Sequence, residues 1–295
     1  MSDERSQDAP REGDDPASAG DVERRILQAN IEHHDRNVAL YECSTPNMRH
    51  FYERYLFRQD IAMLDDLLAG RQVEAVDVGA GTGRLALAFA RRGWNVTAVD
   101  CSREMLRVLG DRYQRLPSTR GDLRLVVSAA EKFMAESDEQ FDLIAFSSVL
   151  HHLPQGLQVL ADAAKRLNEG GCLYVTQEPL PPTVRRKTAG MRALRLLDDL
   201  LRLPQLLHRA AVRLSVPRHE VADRGLVDYH VPRGLDIETF EEDLSELDVE
   251  RRKLRRYKDR KSGTMAWLDT NVLRTQNWYF RYIGQRVSGS EETAQ

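Results

Sequence analysis

The chain has 295 residues, 41% of them apolar and 30% charged, with a formal net charge of -3. That balance excludes the strong positive field of a general nucleic-acid binder, and no apolar run reaches the length that crosses a bilayer. The N-terminal MSDERSQDAPREGDD lacks the apolar centre of a secretory signal, and Cys43, Cys101 and Cys172 show neither metal-ligand spacing nor an even disulfide framework. A reducing cytoplasmic setting, with no bound metal, is the expectation.

Residues 1–20 and 288–295 are polar, have little to bury, and read as disordered tails around a single domain over 21–287. From Val22 to Leu68 the pattern is mostly helical, with Phe57, Ile61, Leu64 and Leu68 on one face and Gly70 as a stop. A core over 70–180 then alternates strands and helices. VEAVDVG (73–79) predicts the first strand, Leu85 to Arg92 a helix, WNVTAVD (94–100) the second strand, and Ser102 the cap of a helix to about Leu109. Strands follow at 123–128, 141–148 and 172–178, with a helix over Leu157 to Leu167 closed by Asn168-Glu169-Gly170-Gly171. This alternation defines an α/β, doubly wound, mostly parallel sheet. The rhythm breaks after Glu178. A helical insertion is expected over about 181–245, and strands within 247–285 complete the sheet.

Ligands bind such sheets at the carboxyl ends of the strands. The first of these ends reads Val76-Asp77-Val78-Gly79-Ala80-Gly81-Thr82-Gly83. Its glycines allow a tight turn and close approach to a ligand, although a sharp strand-to-helix corner alone would also use them. A dinucleotide fingerprint would need glycine where Arg84 stands, and the GxxxxGK[ST] phosphate loop is absent. Asp100, seventeen residues beyond Gly83, ends the second strand. Its carboxylate suits a ribose diol, and its competing role as a helix cap is already filled by Ser102.

The GxGxG turn with Asp77 before it resembles motif I of the class I, Rossmann-like methyltransferases. DCSREML (100–106), FDLIAFSSVLHHLP (141–154) and RLNEGGCLYVTQE (166–178) are similar to later segments of the same family, in the same order. The branch they resemble is the one grouped with ubiquinone- and menaquinone-biosynthesis enzymes. The resemblance implies S-adenosyl-L-methionine as cofactor and a seven-stranded sheet whose last strand is antiparallel. It also implies contacts from Asp77, Gly79, Ala80, Gly81, Gly83, Asp100, Cys101, Met105 and Ser147, with adenine contacts at Ala129, Ala130 and Glu131. In that last place Ser128-Ala129-Ala130-Glu131 carries alanine where relatives often carry an acid, and Glu169 replaces a usual proline.

A sulfonium methyl needs alignment above all, and an oxygen or carbon acceptor can also need a base. His151 and His152, just past the fourth strand, are the candidates, with packing beneath the adenine as their alternative role. Tyr41, Tyr229 and His230 are candidates for the acceptor pocket, and His33, His34 and Tyr52 for a cap over the cofactor. Between Val184 and Arg218 stand nine Lys or Arg residues against two acids, interleaved with leucines in two amphipathic stretches joined at Pro204. A lid with a solvated basic rim, a peripheral lipid contact, and a phosphate contact all fit this segment. The function expected is methyl transfer to a hydrophobic small molecule of quinol, polyketide, isoprenoid or glycolipid type. A tRNA-modifying enzyme and a non-catalytic cofactor-binding scaffold are the alternatives. DNA is not an expected partner, and RNA ranks below the small molecule.

Overall fold

The computed structural model describes residues 19–44, 51–117, 120–180, 235–257, 267 and 279–287. The predicted tails (but for the last residues of the first), the basic segment 184–218, Tyr229 and His230 lie outside the described residues, as does the side chain of Tyr41.

Seven strands form one sheet in the order β3-β2-β1-β4-β5-β7-β6. They are β1 Glu74–Val78, β2 Asn95–Asp100, β3 Leu123–Val127, β4 Phe141–Ser147, β5 Leu167–Pro179, β6 Val249–Tyr257 and β7 Tyr279–Arg286. The first five pair in parallel, and β7 runs antiparallel between β5 and β6, as the resemblance implied. The central strands are short, apolar and buried on both sides, which the covering helices require. Helices α2 (Phe51–Leu67), α3 (Arg84–Ala90) and α4 (Arg103–Tyr113) belong to one face. Helices α5 (Ala130–Glu136), α6 (Gly156–Lys165) and α7 (Ile237–Ser245) pack on the other. The long first helix, α1 (Ala19–Ser44), lies against α4.

Ser102 is the cap of α4, its hydroxyl accepting from the Met105 N–H at 3.1 Å. The stop predicted at Asn168–Gly171 is corrected: α6 ends at Lys165, and these residues already belong to β5. A register shift opposite Phe141 and Leu143, with Gly170 at φ +70°, lets the glycine pair remain in the strand. Helix α5 carries too short an apolar stripe to have been predicted.

A second register shift, between Thr176 and Glu178, makes Gln177 the extra residue of a bulge at φ +61°. The bulge re-aims the end of β5, so that the Gln177 amide donates to Glu53 of α2 at 2.9 Å while Glu178 turns to the loop after β4. Glu53 also accepts from Arg84 at 2.5 Å and from Arg281 of β7. Two turns further along α2, Asp60 accepts from Arg281, from the Tyr174 hydroxyl at 2.9 Å and from Lys253 at 2.7 Å. This polar seam ties α2 to the glycine turn and to the antiparallel strands. At the far end of the strand order, β6 carries Arg251, Arg252, Arg255 and Arg256, a charge pattern that discourages edge-to-edge pairing.

Candidate functional site

In this strand order the sequence direction reverses between β1 and β4, and the crevice above their carboxyl ends is where such sheets bind ligands. A cavity of about 520 Å³ opens there, bounded by α1, the glycine turn, the ends of β2 and β3, and the loop after β4. Its size falls in the range of small-molecule sites.

The turn after β1 has Gly79 at φ +71° and Gly81 at φ +53°. A Cβ on Gly79 would come within 2.4 Å of Val149 in the loop after β4, so the two loops close together only because that carbon is missing. The Gly81 N–H donates to Asp100 Oδ2 at 2.7 Å, and the Ser102 N–H to Oδ1 at 2.8 Å. A carboxylate offers about four lone-pair sites, so Asp100 is oriented by the backbone and keeps capacity for a ligand diol. Burial raises its pKa against those two bonds, and nearby Asp35 adds to the rise. Asp35 accepts from the Ser102 hydroxyl, which anchors α1 over this wall of the cavity.

Gly79, Gly81, Asp100, Cys101, Met105, Ala129, Ala130, Glu131, Ser147, His151 and His152 all line the cavity. Asp77, Ala80 and Gly83 do not: they shape the turn from beneath. Asp77 Oδ2 accepts from the Ala86 N–H at 2.9 Å, Gly83 is the cap of α3, and Ala80 is buried. Asp77 Oδ1 is buried without a partner, and burial, with Asp100 nearby, lifts this carboxyl to about 7. Burial pushes the Cys101 thiol up to about 12, so it is a wall of the cavity and not a nucleophile.

His33 and His34 of α1 line the cavity. Tyr52 does not: it packs with Leu56 and Tyr257 in a separate cluster. His34 and His152 stand edge to face at 6.2 Å, and His151 and His152 lie 4.1 Å apart. Sequence reasoning missed Glu178, although a polar pair ending the apolar strand CLYVTQE marks the carboxyl edge where ligands bind. Fully buried, Glu178 Oε1 accepts from the N–H groups of Val149 at 2.7 Å and Leu150 at 3.0 Å. Its Oε2 lies 2.8 Å from His151 Nδ1 and accepts from the His151 N–H at 3.2 Å. Burial alone would raise this carboxyl, but interaction with the His151 ring and the surrounding N–H groups holds it below its ordinary value. Among the described residues, no group of three or more His, Cys, Asp or Glu is arranged to hold a metal.

Burial, then His152 and His33, lower the His34 pKa from 6.5 to about 3. Between those values the unfolded chain takes up a proton that the folded chain refuses, so stability is lost as pH falls. Asp77 acts in the opposite sense between 3.8 and about 7, so a direct comparison of wild type with His34→Gln isolates the histidine. Denaturant titrations should show the wild type losing about 1–2 kcal/mol relative to the variant between pH 7 and pH 5. A pH-independent difference would contradict the assignment.

Comparison with known proteins agrees with this geometry. Residues 76–175 match the family described as a methyltransferase domain. The ubiquinone biosynthesis O-methyltransferase of Xylella fastidiosa is 37% identical over 110 residues, 37% of this chain and 42% of the relative. This chain thus matches less than half the length of its curated relatives. The N-methyltransferase NodS of Bradyrhizobium japonicum, solved with S-adenosylhomocysteine, shares the fold at 14% identity and TM-score 0.52, over 90% of this chain and 100% of NodS. The [4+2]-cyclase SpnF does so at 14% identity and TM-score 0.55, over 90% of this chain and 97% of SpnF.

The fold is Rossmann-like, and residues 76–175 match a methyltransferase domain, which implies S-adenosylmethionine as the cofactor. Over that matched segment, the chain is similar to O-methyltransferases of ubiquinone biosynthesis. The residues present fit the cofactor. Asp100 lines the cavity with its carboxylate oriented by two backbone N–H groups and with lone-pair capacity left for a ribose diol, and Gly79 and Gly81 line the same wall without side chains. When bound, the cofactor supplies the activated methyl group.

Proposed function

We propose that this chain transfers a methyl group from S-adenosylmethionine to an oxygen of a small hydrophobic acceptor. The observation that carries this reading is one continuous cavity, with the Gly81–Asp100 cradle on one side and His151 and His152 on another. Ile26, Leu27, Val149 and Leu153 give much of the remaining wall an apolar character suited to such an acceptor. The O-methyltransferase relatives support oxygen as the methylated atom. SpnF, a cyclase by name on the same fold, shows why the fold alone is not the argument. A tRNA-modifying activity and a silent scaffold have no comparable support.

The reading includes a cytoplasmic enzyme that meets a lipid-borne acceptor at the membrane surface, with the basic segment 184–218 as the contact. Among the described residues, no helix is long and apolar enough to cross a membrane. The test is incubation of the purified chain with tritiated-methyl cofactor and a panel of a catechol, an alkylphenol, a primary amine and a thiol. Label in the phenolic products is the expected result. Label in the amine alone would overturn oxygen as the target.

A further inference from the structure

We propose that Glu178 is a positioning residue that fixes the tautomer of His151, so that the ring presents Nε2 as a proton acceptor to an acceptor hydroxyl. The inference deepens the functional reading above and rests on it for the chemistry, but not for the geometry.

The geometry begins with the bulge at Gln177, which turns the last residues of β5 off the regular alternation of the strand. Glu178 then sits wholly buried under the single 3-10 turn Leu150–His152 and gathers the N–H groups of Val149, Leu150 and His151. Three donated backbone bonds fit a carboxylate, which only accepts, far better than a carboxylic acid, which must also donate. The fourth contact, to His151 Nδ1, therefore has one consistent polarity: Nδ1 carries the proton and donates it to Oε2. Nε2 is left without a proton, on a ring that lines the cavity. The neighbouring rings of His152 and, beyond it, His34 surround this edge, so the ring is also held sterically.

In the reaction, the acceptor oxygen bonds to the methyl carbon as the carbon–sulfur bond breaks and its electron pair stays on sulfur. The hydroxyl proton passes to His151 Nε2, and the buried Glu178 charge stabilises the imidazolium that forms. This arrangement selects acceptors with a removable proton on oxygen, above all phenols. An acceptor amine that is already neutral gains little from it.

Glu178→Gln tests the idea at constant size. Its carbonyl oxygen can still accept from the backbone, but its amide now donates to Nδ1, which moves the ring proton to Nε2 and removes the acceptor. Nitrogen-15 NMR of the His151 ring should show a protonated Nδ1 and a bare Nε2 in the wild type, and the reverse in the variant. With catechol as probe, kcat should fall about 100-fold or more, with the KM for catechol and the affinity for S-adenosylhomocysteine little changed. A wild-type ring protonated at Nε2 overturns the proposal without any variant. An unchanged kcat in a variant with the reversed tautomer overturns it as well. A catechol that is never methylated by the wild type would count against oxygen transfer, while the NMR result would still decide the role of Glu178.

Discussion

Replacing Arg281 with methionine is expected to lower the stability of the fold by about 3–5 kcal/mol, the range seen when one partner of a buried ion pair is removed. Arg281 is 1% exposed and donates to Glu53, Asp60 and the Tyr174 hydroxyl, with its guanidinium also above the Tyr257 ring at 5.4 Å. Burial alone would raise the Glu53 carboxyl, yet Arg281 and then Arg84 outweigh it and hold the group below its ordinary value. Without Arg281, two buried carboxylates lose their shared cation, with Arg84 left on Glu53 and Lys253 on Asp60. Urea unfolding of the single variant measures the loss. A triple variant that adds Glu53→Gln and Asp60→Asn should recover most of it, because no fully buried carboxylate is then stranded, and Arg84 and Lys253, which lose their acids, are part-exposed to water. A loss below about 1 kcal/mol in the single variant would mean that the seam is not the strut that holds α2.

Asp100→Ala should weaken S-adenosylhomocysteine binding by about 10- to 100-fold while leaving the protein folded. The size follows from the loss of a hydrogen bond to a charged group, about 1.5–3 kcal/mol. Two causes add here, since the carboxylate lines the cavity and also holds the Gly81 and Ser102 N–H groups in place. Asp100→Asn keeps one accepting oxygen and should fall between the parent and the alanine variant. Equal affinity in all three would remove Asp100 from the site.

The sheet and its cofactor end were legible in the sequence because they are local in origin. Valine-rich runs bounded by glycine fixed the central strands, and the GxGxG turn with Asp100 marked the ligand edge before any coordinates. What stayed hidden depends on contacts distant in the chain. Glu178 meets His151 across 27 residues, and Arg281 meets Glu53 across 228, distances at which no periodicity carries a signal. The misplaced start of β5 has a different cause: Asn168–Gly171 has the composition of a helix stop, and only pairing with β4 pulls it into the strand. Asp77 and Gly83 were read as ligand contacts because the motif groups them with Gly79 and Gly81. Their place beneath the turn emerges only from the Ala86 bond and the cap of α3.

The central claim is that the crevice between the glycine turn and Asp100 holds S-adenosylmethionine, and calorimetric titration of S-adenosylhomocysteine into the intact chain tests it most directly. Saturable one-to-one binding with a micromolar or tighter Kd, about -8 kcal/mol or more, is the predicted result. A folded protein that releases no heat and shows no thermal stabilisation with excess ligand would contradict it.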